Sequence, residues 1–93
     1  MSRQIVTKAR FERAYRQLSG TDQELVDEAL DRFQHSLQTN KAPVGLGLRH
    51  LGGRTYEFRA GLALRAVYVV EKEQVVLSLL ETHDEVRRFL KHQ

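Results

Sequence analysis

Apolar positions recur along this chain at two spacings, and the change falls near its middle. A short apolar pulse at residues 4–6 predicts an opening strand. Phe11, Tyr15 and Leu18 then recur at i, i+4 and i+7, the period of a helix with one buried face. Arg10, Arg13 and Arg16 fall on its opposite side. Ser19-Gly20 predicts the stop, with Gly20 as a left-handed cap. Thr21-Asp22-Gln23-Glu24 reads as a capping box that opens a second helix, Thr21 at N-cap and Glu24 at N3. Its stripe is Leu25/Val26, Ala29/Leu30, Phe33 and Leu37. So short a turn sets the two helices antiparallel, stripe against stripe.

Residues 39–47 predict a loop, marked by Asn40, Pro43, Gly45 and Gly47. Beyond it the period becomes two. Tyr56 and Phe58 alternate with Thr55, Glu57 and Arg59. Ala60-Gly61 permits a turn. Leu64, Ala66, Tyr68 and Val70 alternate with Arg65, Val67 and Val69. Glu71-Lys72-Glu73 predicts another turn. Residues 74–80 are apolar on both faces except at Ser78, as a central strand requires. Short turns make these strands antiparallel neighbours. Thr82-His83-Asp84-Glu85 is a second capping box, opening a short helix with Val86, Phe89 and Leu90 inward. The expected class is α+β: an N-terminal strand and helical hairpin packed on an antiparallel three- to four-stranded sheet, with a short C-terminal helix. Residues 1–93 read as a single domain.

Within this scheme Tyr56, Phe58, Leu64 and Tyr68 pack on the helices, and Glu57, Arg59 and Arg65 share the other sheet face. If the hairpin sets Arg59 opposite Arg65, two guanidinium groups sit side by side. Like charges so placed are unfavourable unless an anion comes between them.

Charge sharpens this picture. Residues 1–20 hold five basic and one acidic side chain, 21–40 one basic and five acidic, and 41–70 five basic and one acidic. Basic surfaces therefore stand beside an acidic helix, a distribution suited to nucleic acid or an acidic partner chain. Eleven of the fifteen basic residues are Arg, whose planar fork matches phosphate. An acidic second helix is a poor recognition helix, which argues against a helix-turn-helix DNA reader. With no cysteine there is no disulfide, thiolate metal site or cysteine nucleophile. Four His without ligand spacing imply no metal site, and no cofactor is expected. The longest apolar run, residues 75–80, is too short to cross a bilayer. The first ten residues lack the apolar stretch of a secretory signal, so a cytoplasmic location is expected.

Leu48-Arg49-His50-Leu51, Tyr56-Glu57-Phe58-Arg59, Leu64-Arg65-Ala66-Val67-Tyr68 and Thr82-His83-Asp84-Glu85-Val86, in this order, resemble the RelE/ParE superfamily of bacterial type II toxin–antitoxin toxins. Thr82-His83 places the chain nearer its His-containing, YafQ-like branch. For RelE-type members the resemblance implies a translation-inhibiting endoribonuclease that enters the ribosome and cuts mRNA, by metal-independent attack of the ribose 2′-OH on the adjacent phosphate. It implies Arg65 as phosphate clamp with Arg59 second, His83 as acid, Glu57 or His50 as base, and Arg49 and Arg54 on RNA backbone. The implied partners are a cognate antitoxin protein, the ribosome and its mRNA, with operator DNA reached only through the antitoxin, and no membrane. Thr55 and Glu57 stand where the best-known members carry lysines, and no Tyr follows Tyr68. The alternatives are a non-enzymatic ParE-like inhibitor of DNA gyrase and a degenerate toxin that only binds antitoxin.

Overall fold

The computed structural model describes residues 4–39, 47–61 and 63–82. The chain opens with strand β1 (Gln4–Thr7), then helices α1 (Ala9–Gln17) and α2 (Gly20–Thr39). Strands β2 (Arg49–Gly52), β3 (Thr55–Ala60), β4 (Leu64–Val70) and β5 (Gln74–Thr82) follow. The strands form one sheet in the order β1-β5-β4-β3-β2.

The expected α+β class is the class observed, but the sheet is wider and mixed. The pair α1–α2 carries the chain across one sheet face, so β1 lies parallel to β5, with Gln4 beside Gln74 and Thr7 beside Leu77. The fifth strand is β2, which pairs antiparallel with β3. The turn between them is made by Gly52 and Gly53 at φ of 142° and 54°, values that favour glycine.

The junction between the helices differs from the expectation. Leu18 is already extended, at φ −73° and ψ 154°, so the chain reverses before Gly20. Gly20 is the first residue of α2 and has no left-handed conformation. Ser19, not Thr21, is the cap: its hydroxyl accepts the Asp22 N–H at 3.2 Å. Tyr15 then ties the helices together, its hydroxyl donating to Asp27 at 2.8 Å and its carbonyl accepting from the Gln23 side chain at 3.0 Å.

Alternation in β3 and β4 does what the sequence predicts. Tyr56, Phe58, Ala60, Leu64, Ala66 and Tyr68 face the helices, joining Phe11, Val26, Ala29 and Phe33 in the main core. Rings dominate it, with Phe33 at 4.8 Å from Phe58 and 4.6 Å from Tyr68, centroid to centroid. Such pairs contribute about 1 kcal/mol each beyond the area they bury. The opposite face has a smaller cluster of Val67, Leu79 and Leu51.

As a central strand, β5 is buried on both faces. Ser78 is an extra residue in it, because Tyr68 pairs with Leu77 while Val67 pairs with Leu79. This bulge lets Val75, Leu77 and Leu80 share the helix face although their spacing is uneven. The expected terminal helix lies outside the described residues.

Candidate functional site

The face turned away from the helices carries the charged residues. In the β3–β4 ladder Arg59 stands directly opposite Arg65, as the hairpin reading requires. Arg65 is 8% exposed and Arg59 is exposed. Arg65 donates from Nη1 to the Leu64 carbonyl at 3.2 Å, which orients its guanidinium. On the far side of β4, Glu81 is the partner of Arg65. Its carboxylate accepts from Arg10 of α1 at 3.3 Å. The row across the sheet therefore reads Arg59, Arg65, Glu81, with Arg10 closing its end.

A second row lies beside it: Arg49, Glu57 and Val67 on β2, β3 and β4. Glu57 is only 2% exposed. Arg49 approaches it at 3.9 Å, with a side chain 65% exposed. Pairing at that distance and exposure is weak.

Gly47 completes the local geometry. Its φ of 59° is left-handed, and a Cβ there would stand 2.8 Å from the Arg59 Nε. The backbone at the end of the 39–47 segment is thus laid on the stem of Arg59. The sequence marks Gly47 only as loop punctuation.

Not all the expected site residues meet. His50 lies on the helix face, its ring 4.8 Å from Tyr56, with Nε2–H donating to the Gly53 carbonyl at 2.8 Å. The sheet separates it from the arginine pair. Arg54 sits in the β2–β3 turn, its carbonyl accepting from Val70 N–H at 2.9 Å. Five residues of extended chain put it about 16 Å from Arg59. His83 lies outside the described residues; Thr82, just before it, pairs with Leu64 at the Arg65 end of the ladder. Tyr68 takes no part, because its phenol is buried in the core and its pKa is pushed up to about 12, first by burial and then by Tyr56.

Sequence reasoning missed Glu81 and Arg10. An unbulged β4–β5 hairpin carried on from the Val70–Val75 pair would set Arg65 opposite Leu80, and only the extra Ser78 shifts the partner to Glu81. Among the described residues no cluster of His, Asp and Glu could hold a metal ion. A hollow of about 630 Å³ opens on the helix face, bordered by Ile5, Leu30, Leu37 and Leu77. None of the expected site residues borders it.

No protein-family model matches the chain, and no curated protein matches it. Solved structures do. The toxin fold of the RelB–RelE antitoxin–toxin complex from Methanococcus jannaschii superposes with a TM-score of 0.69 at 9% identity, covering 90% of this chain and 96% of that one. The YoeB/ParE toxin from Agrobacterium tumefaciens gives 0.66 at 22% identity, over 86% and 98%. The E. coli DinJ–YafQ complex gives 0.60 at 13% identity, over 92% and 98%. The chain has the RelE/ParE toxin fold. Nearly the full length of both chains takes part in each of these superpositions. In this RelE/ParE fold the arginine row occupies the sheet face turned away from α1 and α2.

Proposed function

We propose that this chain is the toxin of a type II toxin–antitoxin pair and that it cuts mRNA on the ribosome. The observation that carries the reading is the Arg59–Arg65 pair, two cations in register on one sheet face. Attack of a ribose 2′-OH on the adjacent phosphate places extra negative charge on the phosphoryl oxygens. Cations fixed beforehand stabilise that charge without having to reorganise. The nucleophile belongs to the RNA, so the protein supplies charge and proton transfer. Arg65 is the clamp and Arg59 the second cation. His83, next in sequence after Thr82, is the acid for the leaving 5′ oxygen. Arg49 contacts the RNA backbone beside the clamp. His50, behind the sheet, is set aside as the base.

The similar structures support a partner. They include toxins solved with RelB, DinJ and, in Staphylococcus aureus, YefM. We infer a cognate antitoxin here, through which operator DNA would be reached. No described helix is long and apolar enough to cross a membrane.

The test is primer extension on an mRNA translated in a cell-free system. The wild-type protein is expected to leave codon-spaced cuts that vanish when translation is blocked. Arg65→Ala and His83→Ala are expected to reduce cutting at least 100-fold while the circular dichroism spectrum is unchanged. A folded wild-type protein that leaves no cuts would rule out the nuclease. Inhibition of gyrase supercoiling would then establish the second reading, for which the YoeB/ParE likeness speaks.

A further inference from the structure

On the nuclease reading a base must take the 2′ proton, and the base must reach the 2′ oxygen, four bonds from the clamped phosphorus through O3′, C3′ and C2′. Glu57 is closed off from solvent, and in the β3–β4 ladder it faces Val67, one row away from the arginine pair. Glu81 stands in the arginine row itself, directly across β4–β5 from Arg65. Its side chain is 21% exposed. Neighbouring strands lie about 5 Å apart, so a phosphate held by Arg65 has the Glu81 carboxylate as its immediate neighbour.

We propose that Glu81 is the general base of the site and that Arg10 is its positioning residue. This rests on the nuclease reading above. In the step, the 2′ proton passes to the Glu81 carboxylate as the 2′ oxygen forms its bond to phosphorus. The P–O5′ bond breaks, and the 5′ oxygen takes a proton from His83. A 2′,3′-cyclic phosphate and a 5′-hydroxyl result, so atoms and charge balance.

Arg10 has a definite task here. A carboxylate beside a phosphate site is repelled by the incoming anion and would swing away. The ion pair from α1 holds it at the end of the row. Among the described residues, the charged groups that face Glu81 are Arg10 from α1 and Arg65 from β4. Strand β1, the other neighbour of β5, has no charged residue.

The experiment is single-turnover cleavage on mRNA-programmed ribosomes across pH 5–9. It compares the wild type with Glu81→Gln, Glu81→Asp, Glu57→Gln, Arg10→Ala and Arg10→Lys. Glu81→Gln is expected to slow cleavage about 100- to 10,000-fold with ribosome binding unchanged, and to remove the acidic limb of the pH profile. Glu81→Asp keeps that limb at a reduced rate. Arg10→Ala slows cleavage less and keeps the limb, and Arg10→Lys restores the rate, a rescue that mere loss of folding would not allow. Loss of the limb in Glu57→Gln rather than in Glu81→Gln overturns the assignment. A Glu81→Gln variant within threefold of wild type overturns the assignment and leaves the nuclease standing. A wild type that does not cut at all overturns both.

Discussion

The phenol of Tyr68 lies in the core, 4.6 Å from the ring of Phe33, with Tyr56 stacked on it at 5.5 Å. Its pKa is raised from 10 to about 12. The sign follows from linkage. Between pH 10 and 12 the unfolded chain gives up the proton and the folded chain keeps it, so the folded state binds more protons. The stabilisation is fully present below pH 10 and is lost as pH rises through 12. Thermal midpoints should therefore fall steeply from pH 10 to 12, and Tyr68→Phe should flatten that fall. Tyr15, raised by its hydrogen bond to Asp27, leaves a residual slope. An unchanged slope in Tyr68→Phe would mean that the phenol is not held neutral. At this scale much of the molecule was legible, because strict alternation assigns Tyr68 to the core and Arg59 and Arg65 to the other face. Glu81 was not, because a single inserted residue, Ser78, resets the parity of its strand. The helix-face position of His50 was hidden too, since residues 48–51 show no alternation of their own.

Two glycines show how elements, rather than single side chains, hold the arginine row. Gly61 forms the β3–β4 turn at φ 81°, and a Cβ there would come 2.9 Å from the Leu25 Cδ1 of α2. Gly47, at φ 59°, rests on Arg59. An alanine at either site costs about 1–2 kcal/mol for the left-handed backbone alone. The two substitutions should separate in function. Gly61→Ala should lower the melting temperature and leave the cleavage rate per folded molecule near wild type. Gly47→Ala should lower the melting temperature by a similar amount and the rate at least tenfold, because the new methyl group displaces the Arg59 guanidinium. Melts paired with cleavage rates decide this; equal rates in the two variants would show that the segment before β2 does not position Arg59. The turn at Gly61 could be read from sequence, since alternation stops there and restarts. The parallel pairing of β1 with β5 could not, since it depends on how two helices return the chain to the sheet. The cap at Ser19 was obscured by an equally good candidate two residues on.

Across the whole molecule, the helices and the arginine row lie on opposite faces of one sheet. The acidic residues of α2, including Glu24 and Glu28, belong to the helix side, which on the proposed function is turned away from RNA. The shortest dimension of the molecule is 24 Å. That is about three Debye lengths at physiological salt, so the acidic helix is largely screened from anything docked on the arginine face. Arg59 and Arg49, by contrast, would neutralise phosphates at contact and release their counterions. The logarithm of the affinity for programmed ribosomes should then fall linearly with the logarithm of salt concentration. Arg59→Ala should weaken binding and reduce that slope by about 1. The double change Glu24→Lys and Glu28→Lys moves the net charge by four units in the favourable direction, yet should leave both affinity and slope near wild type. Titrations between 50 and 300 mM salt distinguish the cases. If the α2 variant bound more tightly at every salt concentration, RNA would be reading the total charge of the protein rather than one face of it. The division of the sheet into a packing side and a phosphate side would then lose its functional meaning.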